Sequence, residues 1–296
     1  MTGQQLAMID RGARVPWYLK IALKIVLSRI PLNRTFWNRL GVFRHGRMKD
    51  PPYAFAVFMK HFHRAGLASD RRGFVALELG PGDSLFSALS VYSLGGSETY
   101  LIDIAPFATR DIGAYRHMAE FLSSKELRVP DLDSALSLEQ VLETCGAHYG
   151  TAGLDSLRSV PSGSVDLIWS QSVLQHMRRD EFPDIISETR RVIRPNGICS
   201  HSVDLKDCLG GRLNNLRLPE RLWERNFMAG SGFYTNRVRF SEMLRLFEQA
   251  GFETEILSVE RWEEVPTPKS RLAAEFKALP DEELMVSAFD VLLRPV

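Results

Sequence analysis

A buried apolar segment that ends in two closely spaced glycines constrains the fold of this chain more than any other feature. Residues 74–84 read F-V-A-L-E-L-G-P-G-D-S. The apolar run predicts a strand, and the glycines predict a tight turn because glycine adopts left-handed backbone without steric cost. Leu85, Phe86, Leu89 and Val91 predict the buried face of a helix that follows. This strand, turn and helix are typical of the first unit of an α/β sheet that binds a nucleotide at the carboxyl ends of its strands.

The remainder of the chain alternates between predicted strands and helical or irregular segments. That alternation predicts an α/β fold with a doubly wound, mostly parallel sheet. A helix is predicted at 242–250, and the two strands after it depart from the plain alternating order. The predicted strands are 74–79, 99–104, 148–152, 165–170, 197–203, 252–259 and 284–293.

Composition limits the classes of protein that the chain can form. The 296 residues are 45% hydrophobic and 25% charged, which is ordinary for a globular protein with one large core or two small ones. Its three cysteines form neither an even set nor a C-x-x-C pair, and no spacing of histidines and carboxylates specifies a metal, so we predict neither a disulfide scaffold nor a metal site. Apolar runs fall short of the ~20 residues that cross a bilayer. We therefore expect a cytoplasmic protein.

Charge is distributed unevenly. Residues 1–49 hold ten lysines and arginines against the single acid Asp10, although the whole chain has a net charge of +1. Between Pro16 and Pro31, an amphipathic helix with a narrow polar stripe is predicted. Two interpretations remain open: the helix packs on the main domain or on a second copy, or residues 11–49 anchor the protein to an anionic membrane at its inner face.

The predicted domain organisation has two parts. A further helix is predicted at 53–66, where Gly66 ends it. We therefore assign residues 1–66 to a basic, helical N-terminal extension and residues 67–296 to the main domain. Residues 205–240, between the fifth strand and the next helix, form a long segment without clear periodicity, and we predict that they form a helical cap.

A carboxylate closes the second predicted strand, T-Y-L-I-D, at Asp103. An acid at this place can accept both hydrogen bonds of a ribose diol. A dinucleotide-dependent dehydrogenase shares this arrangement, but its glycine fingerprint needs a third glycine at position 85, where this chain has Leu85. The dehydrogenase interpretation is therefore disfavoured.

Four segments in order resemble the class I S-adenosylmethionine (SAM)-dependent methyltransferases, from about Gly73 to the C-terminus. They are residues 78–82 (E-L-G-P-G), Asp103, residues 164–176 (S-V-D-L-I-W-S-Q-S-V-L-Q-H) and residues 188–197 (E-T-R-R-V-I-R-P-N-G). The resemblance implies a Rossmann-like sheet of seven strands with an antiparallel last strand, and SAM as the cofactor. The cofactor-binding residues that it implies are Glu78, Gly80, Pro81, Gly82, Asp83, Ser84, Asp103, Ile104, Asp155, Ser170 and Gln171.

Two of these positions depart from the family pattern. Ser84 stands where many members have a third glycine. Asp155 is the nearest candidate for the acid that contacts the adenine amino group, and it lies slightly out of register.

Methyl transfer requires an aligned acceptor and, for a hydroxyl, a group that removes its proton. His176 follows the fourth strand, where the acceptor pocket should open, and we predict it as the general base. His201 and Asp204 are further candidates. For all three the alternative is a structural role in packing or capping.

The predicted cap supplies candidate acceptor contacts. Arginines suit phosphate or carboxylate groups, asparagine offers hydrogen bonds, and aromatic faces suit a sugar ring. The alternative is that these are surface arginines and core aromatics of a small helical cap. The predicted substrate-binding residues are Arg212, Asn215, Trp223, Tyr234 and Arg237.

The function that we predict is O-methylation of a small or glycan-type acceptor, such as a lipid-linked saccharide. The chain is also similar to methyltransferase-domain proteins associated with bacterial surface polysaccharide synthesis. The alternatives are an N-methyltransferase, a natural-product O-methyltransferase, or a non-catalytic binding or scaffold protein at a membrane surface. A nucleic-acid partner is not expected, because no binding module is recognisable and the net charge is nearly neutral. The sequence specifies neither the oligomeric state nor the methylated atom.

Overall fold

The structure is a computed structural model that describes Tyr18, Ile21, residues 47–67 and residues 72–296. Apart from Tyr18 and Ile21, the predicted amphipathic helix between Pro16 and Pro31 lies outside the described residues. Most of the predicted membrane segment, residues 11–49, does so as well.

Seven strands form one sheet in the order β3-β2-β1-β4-β5-β7-β6. Pairs among β1 to β5 are parallel, and β7 runs antiparallel to both β5 and β6. The predicted doubly wound sheet with an antiparallel last strand is therefore confirmed. The strands are β1 (Val75–Leu79), β2 (Glu98–Ile102), β3 (Ala147–Gly150), β4 (Val165–Gln171), β5 (Ile193–Asp204), β6 (Phe252–Arg261) and β7 (Val286–Pro295).

Helices cover both faces of this sheet. On one face lie α1 (Pro51–Arg64), α2 (Phe86–Ser93), α3 (Ile112–Ser123) and α4 (Leu138–Thr144), and on the other lie α5 (Leu154–Arg158), α6 (Phe182–Val192) and α9 (Phe240–Gln249). Alternate residues of the central strands face opposite layers, so that Ala76 packs towards α1 and Leu77 packs towards α6. Because β1 to β5 are parallel, their carboxyl ends meet at one edge of the sheet. The predicted site residues lie at this edge.

Helix α1 shares a core with the sheet. Pro51 occupies its first turn, where a proline costs no backbone hydrogen bond, and Phe58 and Phe62 are fully buried. The ring centroid of Phe58 lies 5.9 Å from that of Trp169 on β4. The predicted boundary at residue 66 therefore does not separate two cores.

The cap, residues 205–240, consists of a 3-10 turn (Asn214–Arg217) and two short helices, α7 (Glu220–Trp223) and α8 (Asn226–Ala229). Its small core includes Trp223, Phe233 and Tyr234. Ile21 is buried against this cluster, so at that residue the N-terminal region packs on the domain.

A second segment, residues 262–285, connects β6 to β7 at the same edge and packs on the cap. It contains a 3-10 turn (Lys269–Arg271) and the short helices α10 (Ala274–Lys277) and α11 (Asp281–Leu284). Leu272 and Phe276 of this segment lie in one cluster with Leu213 and Leu216 of the cap. The cap predicted from the sequence spans residues 205–240 alone, and the structure adds this second part.

Within the described ranges, the structure contains no helix that is long and apolar enough to cross a membrane.

Candidate cofactor and acceptor site

The glycine turn after β1 has left-handed backbone at Gly80 (φ 70°) and Gly82 (φ 68°). A Cβ atom added to Gly80 would lie 2.6 Å from both Cγ atoms of Val173, whereas one added to Gly82 would meet no atom within 4 Å. Gly80 is therefore required by the protein's own packing, and Gly82 leaves open space beside the backbone where a ligand can approach.

Asp103, directly after β2, is joined to this turn. Its Oδ2 accepts a hydrogen bond from the Gly82 amide at 3.1 Å, and its Oδ1 accepts one from the Ile104 amide at 2.7 Å. A carboxylate has about four acceptor positions, so these two bonds do not exhaust its capacity for ribose hydroxyls. The acceptor atoms of this carboxylate therefore fit the ribose of the predicted cofactor.

Ile104 supplies an apolar surface beside Asp103, because its side chain is 75% exposed. An exposed large apolar side chain next to polar ligand groups is typical of a site that a planar ring covers. The amide of Gly153, in the turn after β3, donates to the Asp103 carbonyl at 2.9 Å and brings that turn to the same place.

Glu78 lies beneath the turn and is buried. Burial raises the pKa of its carboxyl group to about 8, a hydrogen bond from the Ser87 hydroxyl offsets part of that rise, and repulsion from Asp103 adds to it. Glu78 is consequently mostly protonated at neutral pH, which makes it part of the turn's buried support.

The other predicted residues of the turn have internal partners. Pro81 is buried, the carbonyl of Asp83 accepts a bond from the Thr109 amide at 2.9 Å, and the Ser84 hydroxyl donates to the Met48 carbonyl. Ser84 thus connects the turn to the segment before α1, a role that a glycine at this position could not fill.

Asp155 lies in the first turn of α5 and is exposed. Its Oδ1 accepts a bond from Arg158 at 3.0 Å. It sits two residues beyond Gly153, close in sequence to the turn that contacts Asp103, and its adenine contact stays a prediction.

The side chains of Ser170 and Gln171, at the end of β4, have hydrogen-bond partners within the protein. Ser170 is fully buried and its Oγ lies 2.8 Å from Nδ1 of His201, and its contact with the cofactor stays a prediction. The Oε1 atom of Gln171 accepts a bond from Lys60 of α1 at 2.5 Å. The residue that reaches the glycine turn is instead Val173, which sequence analysis missed.

The backbone after β4 is strained. Ser172 has a positive φ of 56°, which is uncommon outside glycine, and its amide bonds to the Ser202 carbonyl at 2.8 Å. Such conformations cluster at functional sites. This one aims Val173 at Gly80.

His176 lies in the 3-10 turn Leu174–His176 and is exposed. Its Nδ1 is 2.8 Å from the carbonyl oxygen of Tyr234 in the cap. A carbonyl only accepts, so Nδ1 carries the hydrogen, and in the neutral ring Nε2 carries the lone pair. The ring is therefore held in the tautomer that a general base at Nε2 requires.

His201 and Asp204 differ from His176. His201 is fully buried and stacks on Phe247 of α9 at 6.4 Å, and burial lowers its pKa to about 3. The ring is enclosed between the sheet and this helix, and a catalytic role for it stays a prediction. Asp204, at the end of β5, lies 3.3 Å from the amino group of Lys206 and stays a prediction.

Three of the predicted substrate contacts have side chains that are buried inside the cap, and their contact with an acceptor stays a prediction. Trp223 is fully buried and donates to the Thr235 carbonyl at 2.7 Å, and the Tyr234 hydroxyl donates to Glu224 at 2.6 Å. The Arg237 side chain is 1% exposed and bonds to Glu224 at 3.5 Å and to the Leu218 carbonyl at 2.7 Å. Their burial supports the alternative given for the cap, in which such side chains form the core of a small helical unit.

The two remaining predicted contacts lie in different places. Arg212 is exposed and donates to the Pro266 carbonyl of the second segment at 3.4 Å. Asn215 is buried, lines a small polar cavity under the cap, and donates to the Thr235 hydroxyl at 2.9 Å.

A polar network between α1 and the sheet escaped the sequence analysis. Arg64 binds both carboxylate oxygens of Asp290 at 2.8 and 2.7 Å, and Lys60 donates to the Ser202 hydroxyl at 2.9 Å. These partners lie between 142 and 226 residues apart in the chain, so no local pattern could reveal them.

Part of the chain matches a known protein family. The family model described as "Methyltransferase domain" matches residues 117–200, from α3 into β5. No curated protein matches at a significant level.

Several solved structures are similar. A SAM-dependent methyltransferase from Methanosarcina mazei has 16% identity over 76% of this chain and 94% of its own, with a TM-score of 0.45. Its counterpart from Mesorhizobium loti has 19% identity over 78% and 94%, with a TM-score of 0.41. A phosphoethanolamine N-methyltransferase 2 from Haemonchus contortus has 12% identity over 81% of this chain, with a TM-score of 0.44, and the match spans only 53% of that protein.

Likeness at this level does not identify an acceptor. The match over residues 117–200 and the strand order of the sheet confirm the resemblance of this chain to the class I SAM-dependent methyltransferases, the family that uses S-adenosylmethionine as its cofactor.

Proposed function

We propose that the protein transfers a methyl group from SAM to a hydroxyl of a small or glycan-type acceptor. The observation that carries this proposal is the bond between His176 and the Tyr234 carbonyl, which fixes a histidine tautomer between the end of β4 and the cap. A base is useful for a hydroxyl, whose proton is tightly held, whereas a neutral amine can attack without one.

The proposed cofactor residues are those around the glycine turn. Asp103 would accept the ribose hydroxyls, Ile104 would cover one face of the adenine, and the backbone at Gly82 would allow close approach. When bound, SAM supplies a methyl group on a positively charged sulfur, already a strong electrophile. The protein's remaining tasks are therefore orientation and proton removal.

In the proposed reaction, His176 Nε2 takes the hydroxyl proton while the acceptor oxygen forms a bond to the methyl carbon. SAM would supply the methyl group to that oxygen and would retain the electron pair of its carbon–sulfur bond. The cap and the second segment would exclude water from this step, since both lie at the edge of the sheet where β4 and β5 end.

Two measurements test the proposal. Calorimetry with S-adenosylhomocysteine should show binding to the folded protein; absence of binding would favour the non-catalytic scaffold. Incubation with methyl-labelled SAM and pools of saccharides and amines, followed by mass spectrometry, should place the label on an oxygen. Label on nitrogen would establish the N-methyltransferase alternative instead.

We further propose that the basic N-terminal segment contacts an anionic membrane, where a lipid-linked saccharide would be found. The ten cations of residues 1–49 support this proposal. Flotation with anionic vesicles should be lost when Arg34, Arg39 and Arg44 are changed to glutamine. Flotation that is equal in both proteins would contradict it.

A further inference from the structure

A small polar cavity lies under the cap, between the turn after β4 and the end of β5. It measures about 10 Å³, which is room for about one water-sized group. The residues that line it are Gln175, Asp204, Leu205, Asn215, Thr235, Asn236, Arg237, Val238 and Arg239. It is therefore located at the carboxyl ends of two central strands, where sheets of this kind bind ligands.

Unsatisfied polar atoms are concentrated around this cavity. In the part of the chain that the structure describes, eight buried side-chain atoms have no hydrogen-bond partner, and four of them belong to residues of this lining. They are Oε1 of Gln175, Oδ1 of Asn215, Nε of Arg237 and Nε of Arg239. All four residues are at most 4% exposed. Because native proteins rarely leave buried polar groups unsatisfied, such a concentration indicates a place that a water or a ligand group completes.

The four atoms specify what the ligand group must offer. Two are carbonyl-type oxygens, which require donors, and two are guanidinium nitrogens, which require acceptors. A hydroxyl is a small neutral group that does both with one atom. A carboxylate or phosphate would satisfy the nitrogens but would be repelled by the two oxygens.

Charge argues against an ammonium group at this place. Arg239 donates to the carbonyls of Leu205, Glu283, Leu284 and Val286, and it has no carboxylate ion pair among the residues described. Burial lowers its pKa only to about 10, so the guanidinium stays charged at neutral pH. The carboxylate of Asp204, in the same lining, already has Lys206 as a partner. A cationic ligand would therefore lie beside a buried, charged guanidinium.

We propose that this cavity takes a hydroxyl-bearing edge of the methyl acceptor, so that the acceptor is a polyhydroxylated molecule in which one hydroxyl is bound under the cap and another is methylated. This inference rests on the proposed function, because it assigns the acceptor class of that site. Given its size, the cavity holds one edge of the molecule and leaves the rest outside.

Saturation-transfer NMR on the protein saturated with S-adenosylhomocysteine tests the proposal, with trans-cyclohexane-1,2-diol as the probe and cyclohexylamine as its cationic counterpart. The diol should give a signal and the amine should not. Gln175→Met, which replaces the unsatisfied oxygen with an apolar group of similar length, should reduce the diol signal about fivefold or more. Gln249→Met, on the exposed surface of α9, should leave it unchanged.

Stability gives a second readout. Removal of a buried unsatisfied oxygen should leave the Tm of Gln175→Met equal to or above that of the wild type. If the cavity merely held a structural water bonded to Gln175, the variant would melt lower and the diol signal would be unaffected, and the proposal would be overturned. If Gln175→Met does not fold, Asn215→Leu removes the other oxygen and is judged by the same diol signal.

The two proposals fail in distinguishable ways. Calorimetry that shows no binding of S-adenosylhomocysteine would end the proposed function itself. Binding of S-adenosylhomocysteine without a diol signal, or an amine signal that exceeds the diol signal, would overturn only the hydroxyl subsite.

Discussion

Nδ1 of His176 lies 2.8 Å from the carbonyl oxygen of Tyr234, and this bond joins the turn after β4 to the cap. The amide of Asn236 donates to the Gln175 carbonyl at 2.7 Å and extends the connection by two residues. The proposed base and the proposed hydroxyl subsite are therefore neighbours in sequence, and both are held by one stretch of the cap.

His176→Asn should separate the proposed catalytic role of His176 from its structural role. The asparagine amide can still donate to Tyr234, but it cannot accept a proton, so we expect kcat to fall by about 10²- to 10⁴-fold while S-adenosylhomocysteine affinity stays within about twofold. Steady-state kinetics and calorimetry measure the two effects. The exposed His148→Asn is the control. A variant that retains a third of wild-type kcat would show that His176 only packs.

Gly80→Ala and Gly82→Ala form a matched pair. Both positions have a φ near 70°, so each substitution costs about 1 kcal/mol of backbone strain. Only the Gly80 substitution also meets Val173, at 2.6 Å, and a valine has little freedom to move aside. We expect Gly80→Ala to lose about 1–3 kcal/mol more unfolding free energy than Gly82→Ala in the absence of ligand. Equal losses in urea unfolding would contradict the packing role of Gly80.

Most of the sheet could be predicted because each strand is a local pattern. The apolar run at 74–79 and the segment T-Y-L-I-D that ends at Asp103 carry their own signal, and both strands lie within two residues of the expected place. The cap's interior could not be predicted. Arg237 and Arg212 look alike in sequence, yet one is buried under Phe276 and the other is exposed, because the second segment returns from β6 to cover only one of them.

The same limit applies to the histidines. His176 follows a central strand and His201 lies on one, and the residues beside each do not show which is exposed. Which of the two is exposed depends on α9, whose Phe247 covers His201 and not His176. That contact spans 46 residues of chain and has no local signature.

Glu78→Gln should change how stability depends on pH. Burial raises the pKa of Glu78 to about 8 from an ordinary value of 4.5, so between these values the folded protein holds a proton that the unfolded chain releases. The unfolding free energy of the wild type therefore falls as pH rises through this window, by at most about 1.4 kcal/mol per pH unit from this group. Above the window it is level. The glutamine variant lacks that contribution, so its advantage should grow from pH 5 to pH 8. Urea unfolding at four pH values measures it, with exposed Glu143→Gln as the control; parallel curves would refute it.

His201→Asn should act in the opposite direction. Burial lowers the pKa of His201 to about 3, so the unfolded chain binds a proton that the folded state excludes as pH falls below 6.5. The stabilisation is complete above pH 6.5 and is lost as pH falls towards 3. Removing the ring should make stability less dependent on pH in this window, as measured by urea unfolding from pH 4 to 7. The exposed His117→Asn should keep the wild-type slope, and the same slope in His201→Asn would disprove the assignment.

Arg239→Met should be far more damaging than Arg212→Met. The Arg239 guanidinium connects the end of β5 to the start of β7 through the carbonyls of Leu205 and Val286, at 3.1 and 2.6 Å, in a site that is 3% exposed. Its removal leaves those carbonyls buried without donors, and hydrogen bonds to charged groups contribute about 1.5–3 kcal/mol each, so we expect a loss of about 2–4 kcal/mol in unfolding free energy. Arg212 has one long bond at an exposed site, and its substitution should stay within about 0.5 kcal/mol. Equal losses would mean that Arg239 does not hold the two strands together.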